Sequence, residues 1–301
     1  MASSYRIQNT AEKAASKSSR NRIANLNPSM LHQVHEPKIV AVTSGKGGVG
    51  KTNVVANLSF GLSELGKKVV VLDADFGLAN IDVLLGLTPR YHLGHVLFGE
   101  KTLAEIMVQG PNGIRVIPAS SGVQRLSELT LTQRNHLVDS FTGLYSDTDY
   151  FIIDTAAGIS HNVIHFLLSA HEVIVVSAPE PTAIVDAYAV IKIILTEDPG
   201  KEIQILINAV EQAEDAHEVF CQINSVVKRF LNREIRYLGH IVKDVCVPQA
   251  VRSQTLVTHR YPDAPASRGF RELALRIAQQ EKGAVSSDGL IWEKLLNDWV
   301  N

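Results

Sequence analysis

Seven stretches of this chain are short, almost unbroken apolar runs: KIVAVTS, KKVVVLDAD, GIRVIPAS, YFIIDTAAG, HEVIVVSAPEP, EIQILINAV and YLGHIV. Between most of them lie longer segments whose apolar residues recur every three or four positions. TNVVANLSFGLSELG, TQRNHLVDSFTGLYS, ISHNVIHFLLSA, PTAIVDAYAVIKIILTE and AEDAHEVFCQINSVVKRFL are the clearest. A strand that is apolar on both sides must be covered on both faces, and helices with one apolar side supply the cover. The alternation predicts an α/β fold, a mostly parallel sheet with helices on both faces. A last helical pattern, RGFRELALRIAQQ, closes the predicted domain, which covers 38–280.

Outside that domain the text changes. Residues 1–37 are polar and read as a mobile arm; 281–289 read as a polar linker and 290–301 as a short amphipathic helix. With 45% apolar residues the chain has enough material for a full core. A net charge of −2 and the lack of a basic block argue against direct nucleic-acid binding. No apolar run approaches the ~20 residues of a spanning helix, and no apolar signal core is visible, so a cytoplasmic protein is expected. Cys221 and Cys246 stand in no metal spacing and read as buried free thiols of a reducing compartment.

The first apolar run leads directly into SGKGGVGKTN. Gly45, Gly47, Gly48 and Gly50 follow the predicted strand, and Lys51, Thr52 and Asn53 open the predicted helix. Strand, glycine-rich turn, lysine, hydroxyl residue and helix in this order make a phosphate-binding loop. Glycines let the backbone N–H groups of the turn, that of Val49 included, face phosphate oxygens, and the helix N-terminus adds positive potential. Lys51 is expected to reach the β- and γ-phosphates and the Thr52 hydroxyl to ligate Mg²⁺. Lys46 has no part in that task. It is either a solvated surface lysine or one that crosses to a γ-phosphate held by a second copy, as an arginine finger does.

Carboxylates end two further strands. Asp73 and Asp75 follow the second run and would point the same way if the strand continued; Asp154 ends YFIID. Ligands of open α/β sheets bind at this carboxyl edge. Carboxylates there can contact Mg²⁺ through water or orient an attacking water. Other patterns carry less. His161 and His165 are spaced like zinc ligands but lack a third, and His92 and His95 fall in a predicted loop. No G-x-S-x-G elbow supports a serine hydrolase.

KGGVGKT resembles the deviant Walker A motif of the MinD/ParA class of ATPases, whose signature lysine acts across an ATP sandwich dimer; Lys46 is the matching residue. VVVLDADFGLANIDVLLGL is similar to the switch I segment of MinD-type proteins, and YFIIDTAAGI to their Walker B and switch II. The resemblance implies a P-loop fold, ATP and Mg²⁺ as cofactors, a homodimer with ATP and a monomer without. It makes Lys46, Lys51 and Asp75 catalytic, with Asp75 orienting the water. Thr52, Asp73 and Asp154 then belong to the metal shell, and Gly158 to switch II. It also implies that Asn208, in ILINAV, hydrogen-bonds the adenine edge, with Val242, Lys243 and Asp244 lining the base. A guanine signature of the Asn/Thr-Lys-x-Asp type is absent, which favours ATP over GTP.

PEPTAIVDAYAVIKII, residues 179–194, resembles the FlhG/FleN family, MinD-like ATPases that limit flagellar number. That implies an FlhF-type GTPase and a FleQ-type transcription activator as partners. QNTAEKAASK keeps little of that family's N-terminal FlhF-activating motif, so activation through the arm is not implied. The alternatives are a MinD-type division-site ATPase, a nucleotide-binding adaptor with little hydrolysis, and a DNA-binding partition protein. In the tail, Leu290, Ile291, Trp292, Leu295, Leu296 and Trp299 fall mostly on one helical face. Such a face suits peripheral membrane contact, as in MinD-like proteins, or a protein groove.

Overall fold

The computed structural model describes residues 36–75, 80–118, 140–141, 143–144 and 147–280. The arm before Glu36, most of the helix predicted over 132–146, and the tail with Leu290, Ile291, Trp292, Leu295, Leu296 and Trp299 lie outside the described residues. The chain divides between Glu36 and Pro37, and the fold below is that of the second unit.

Among the described residues, eight strands form one sheet: β1 (Lys38–Thr43), β2 (Val69–Ala74), β3 (Val108–Gln109), β4 (Arg115–Ile117), β5 (Tyr150–Thr155), β6 (Glu172–Ser177), β7 (Glu202–Val210) and β8 (Arg236–Val242). Their order is β3-β4-β2-β5-β1-β6-β7-β8. All neighbours run parallel except β3 and β4. Strand side chains alternate between faces, so each apolar run feeds two cores. Ile39 and Ala41 of β1 join one with Phe151 and Ile153 of β5. Val40 and Val42 join the other with Ile152 and Ile174.

Helices cover both faces, as the alternation predicts. On the face of Val40 lies α1 (Lys51–Glu64); after it come the short α2 (Ile81–Leu84), α3 (Leu93–Leu97) and α4 (Leu103–Ile106). The later helices are α5 (His161–Ser169), α6 (Pro181–Glu197), α7 (Ala213–Leu231), α8 (Cys246–Arg252), α9 (Val257–Arg260) and α10 (Pro265–Gln279). In α6, Ala183, Ala187, Val190, Ile191 and Ile194 are buried, at the spacing of a single helical face. Helix α1 lies between the sheet and α10, and a Cβ on Gly61 would stand 2.8 Å from that of Ala274. Its buried Asn57 is satisfied because its Oδ1 accepts from Thr258 N at 3.2 Å and Thr258 Oγ1 at 2.9 Å.

Three expectations change. His92 and His95 are not in a loop: His95 lies in α3 and His92 is its N-cap. The thiols are not buried. Cys221 is exposed, because α7 buries Ala216, Val219, Ile223 and Val227 and turns position 221 outward. Cys246 is half-exposed, at the start of α8. And β2 ends at Ala74, so Asp75 lies beyond the strand and does not continue the alternation of Asp73.

At the amino edge of the sheet, His171 Nδ1 accepts the Ile39 N–H at 3.0 Å. Burial, aided by Lys201 and Lys38, lowers its pKa from 6.5 to about 4. Between those values only the unfolded chain takes the proton. Stability from this group is therefore whole above about pH 6.5 and declines by about 3 kcal/mol as pH falls towards 4. His171→Asn keeps an acceptor for Ile39 without the titration. Urea melts across this window should show a shallower acid decline for the variant than for the natural protein.

Candidate active site

The site assembles where β1, β5 and β2 end side by side. In register, Val42 pairs with Asp154 and Asp154 with Asp73, which brings residues far apart in sequence to adjacent strand ends. The loop after β1 is shaped by glycines at Gly48 (φ 86°) and Gly50 (φ 89°), both in the left-handed region that side chains disfavour. Gly50 is required for a second reason. A Cβ there would stand 2.4 Å from Asn208 Nδ2. Gly45 packs against α6, where a Cβ would meet the Asp186 carbonyl carbon at 2.2 Å. From Gly50 the chain enters α1, whose first-turn N–H groups have no intrahelical acceptor.

Lys51 is buried, and its ammonium is bonded to the Asp154 carboxylate, itself 1% exposed. The Thr52 side chain also bonds Asp154. One carboxylate thus gathers the two residues that end the phosphate loop. Burial raises the Asp154 pKa even though Lys51 and Thr52 oppose the shift. Asp73, 2% exposed, is pushed up to about 7 by burial and by the neighbouring Asp154 charge, against bonds from Asp75, Asn80 and Ile81. Asp154, with the Thr52 hydroxyl beside it, is an oxygen donor set that suits a hard divalent cation, whereas the Asp73 oxygens already accept from the N–H groups of Asp75, Asn80 and Ile81. Gly158 (φ 93°) is tied to the loop by its N–H bond to Ser44 O at 2.9 Å.

Lys46 is placed differently. Its ammonium does not enter the pocket of Lys51. It lies 3.1 Å from Glu180 Oε2 and 3.1 Å from Thr182 Oγ1, at the start of α6, with the lysine side chain 42% exposed and Glu180 63% exposed. Glu180 and Thr182 are contacts of Lys46 that the reading of motifs missed. They sit in the PEPT stretch, where a carboxylate and a hydroxyl two apart were the available signal.

On the other side, Ala209 (φ 58°) makes a bulge in β7. The preceding Asn208 donates its Nδ2 to Val49 O at 2.7 Å. With the amide nitrogen so oriented, its oxygen is an acceptor, the complement of an adenine amino group. Val242 pairs with Val210. Lys243 forms a surface ion pair with Glu211 at 2.6 Å. Asp244 is spent on backbone: it accepts from Cys246 N at 2.8 Å and Ala266 N at 3.1 Å, at the starts of α8 and α10. Burial would raise its pKa, but these bonds hold it below the ordinary value.

Residues 37–205 match the family model described as an AAA domain, AAA_31. The antiactivator FleN of Pseudomonas aeruginosa is 40% identical over 82% of this chain and 88% of its own. The flagellum site-determining protein YlxH of Helicobacter pylori is 36% identical over 82% and 84%. Among solved structures, the MinC:MinD cell division complex of Aquifex aeolicus aligns with a TM-score of 0.66 and 25% identity, covering 82% of this chain and 98% of that one. This mostly parallel sheet with a glycine loop after β1, together with these similarities, places the chain in the MinD/ParA class of P-loop ATPases. Within that class, the chain belongs to the FlhG/FleN family.

Proposed function

We propose that the chain is an ATP-driven switch that dimerises with ATP, hydrolyses it slowly with Mg²⁺, and so controls flagellar number or placement. The observation that carries this reading is the division of labour between the two lysines. Lys51 is committed to the pocket, while Lys46 stands outside it, held by exposed groups of its own chain. A lysine so placed is available to the nucleotide of a second copy.

The residues fit the two cofactors. Backbone N–H groups from Gly45 to Thr52 would cradle the phosphates and Lys51 would balance their charge. Asn208 would accept from the adenine amino group. Thr52 and Asp154 would hold Mg²⁺, which when bound neutralises phosphate charge. Asp75 would orient the attacking water, and Lys46 of one copy would meet transition-state charge in the other. The name of one relative, a flagellum site-determining protein, supports a flagellar output, and that of the other, an antiactivator, supports an activator as partner. That the partners are an FlhF-type GTPase and a FleQ-type activator, and that the tail contacts the membrane, rests on the sequence resemblance.

Asp75→Ala tests the switch. It removes an interaction used in the transition state but not in ground-state binding. The variant should bind ATP, dimerise and remain dimeric, while the natural protein returns to monomer as ATP is consumed. Size-exclusion chromatography with light scattering, followed over time with ATP and Mg²⁺, reads the difference. A variant that binds ATP yet stays monomeric would refute the dimeric switch.

A further inference from the structure

Asp73 makes more bonds than a strand-end carboxylate needs. It is 2% exposed, and each of its oxygens is engaged by backbone. Oδ1 accepts from Asp75 N at 3.0 Å. Oδ2 accepts from Asn80 N at 3.2 Å and from Ile81 N at 3.3 Å. Asp75 stands just past the end of β2, while Asn80 and Ile81 are the N-cap and first residue of α2. One side chain therefore binds the chain where it leaves the sheet and again where it re-enters a helix. Ile81 is fully buried, so the second attachment point is part of the core.

Charge-assisted bonds from N–H groups to a carboxylate are among the stronger hydrogen bonds. An oxygen accepting two N–H groups has both its in-plane lone pairs in use. Oδ2 of Asp73 is in that state, which leaves it poorly suited to a metal shell. The Asp75 N–H is one of the tied groups, so Asp73 helps set where Asp75 stands just past the strand.

We propose that Asp73 is a positioning residue for hydrolysis. Its carboxylate ties Asp75 N–H to the Asn80 and Ile81 N–H groups and so fixes where Asp75 stands, and its service to the metal is secondary. This rests on the reading of Asp75 as the residue that orients the water.

The test uses the full chain with Asp73→Asn. An amide keeps an oxygen for Asp75 N but sets an NH₂ against the two donors of Asn80 and Ile81. Amide hydrogen exchange at Asn80 and Ile81 should accelerate while that at Asp75 changes little. Single-turnover hydrolysis should fall at least about tenfold, since misplacing a catalytic group is costly. The Kd for ATP should stay within about threefold, and the Mg²⁺ concentration that half-saturates ATP binding should not move, because ground-state binding is untouched. A raised Mg²⁺ requirement with unchanged exchange would overturn the proposal in favour of a metal role. Faster exchange with normal hydrolysis would overturn the positioning role. If the variant does not fold, exchange in the natural protein decides: unprotected amides at Asn80 and Ile81 overturn it, and protected ones uphold the tie. Asp75→Ala is run in parallel. Normal turnover there would reject the role of Asp75, whereas the exchange result would still report on the tie itself.

Discussion

Lys51→Ala is expected to abolish ATP binding over the range that calorimetry reads. Losing one member of a buried charge pair typically costs about 2–5 kcal/mol, or about thirtyfold to several thousandfold in affinity. The ammonium is buried with Asp154 and its side chain is 8% exposed, so no neighbouring lysine can take its place without repacking. Lys46, the other lysine of the loop, is held at Glu180. The same substitution should also lower thermal stability, because Asp154 would be left buried without its cation. Burial already raises that carboxyl's pKa. Without Lys51 the pKa rises further, so the folded variant holds a proton that the unfolded chain releases. The stability deficit of the variant should therefore shrink as pH is lowered, and melts at two pH values would register this. Near-normal ATP affinity would remove the phosphate-loop assignment.

Lys46→Ala should give the opposite pattern. Its ion pair with Glu180 joins groups 42% and 63% exposed, and such pairs contribute about 0–1 kcal/mol, so the fold should be almost unaffected. ATP should bind within about threefold of the natural affinity, because the loss falls on the transition state. Turnover should drop about a thousandfold, the scale of losing an arginine finger, and light scattering should find a monomer with ATP. Mixing gives the decisive check. Neither Lys46→Ala nor Asp75→Ala should turn over alone. In a mixed dimer, the Lys46→Ala copy keeps its own Asp75 and receives Lys46 from its partner, so that one site should work. Recovery of turnover on mixing requires a lysine that acts in trans. No recovery, or normal turnover by Lys46→Ala alone, would eliminate that role.

β1, β2, β5 and β6 could be read because each is buried along its whole length, which forces continuous apolar runs that no loop needs. The bounds of α6 and α7 were legible for a similar reason: both helices have one buried face and sharp polar flanks. The two-residue β3 and the short helices α2 to α4 left no such trace. They are too brief to show a period, and their form depends on the neighbours they pack against. The resemblance implied that Asp244 lines the base; the structure adds that its carboxylate accepts from two helix starts, and nothing local to KDVC reveals an N–H at Ala266.

What the sequence by itself determined is the chemistry that local order can carry. A strand, a turn free to adopt positive φ, a lysine and a helix place N–H groups and a charge within a few residues of one another, and no distant contact is needed to define them. Tertiary structure alone decided where the remaining groups act. Lys46 meets Glu180 across 134 positions, Asn208 meets Val49 across 159, and Lys51 meets Asp154 across 103. These distances along the chain close because β1 lies between β5 and β6 in the sheet, and strand order is a property of the packed molecule. The use made of Asp73 belongs to the same class: its identity was plain from the sequence, but the three backbone groups that occupy it exist as a set only once α2 is seated in the core.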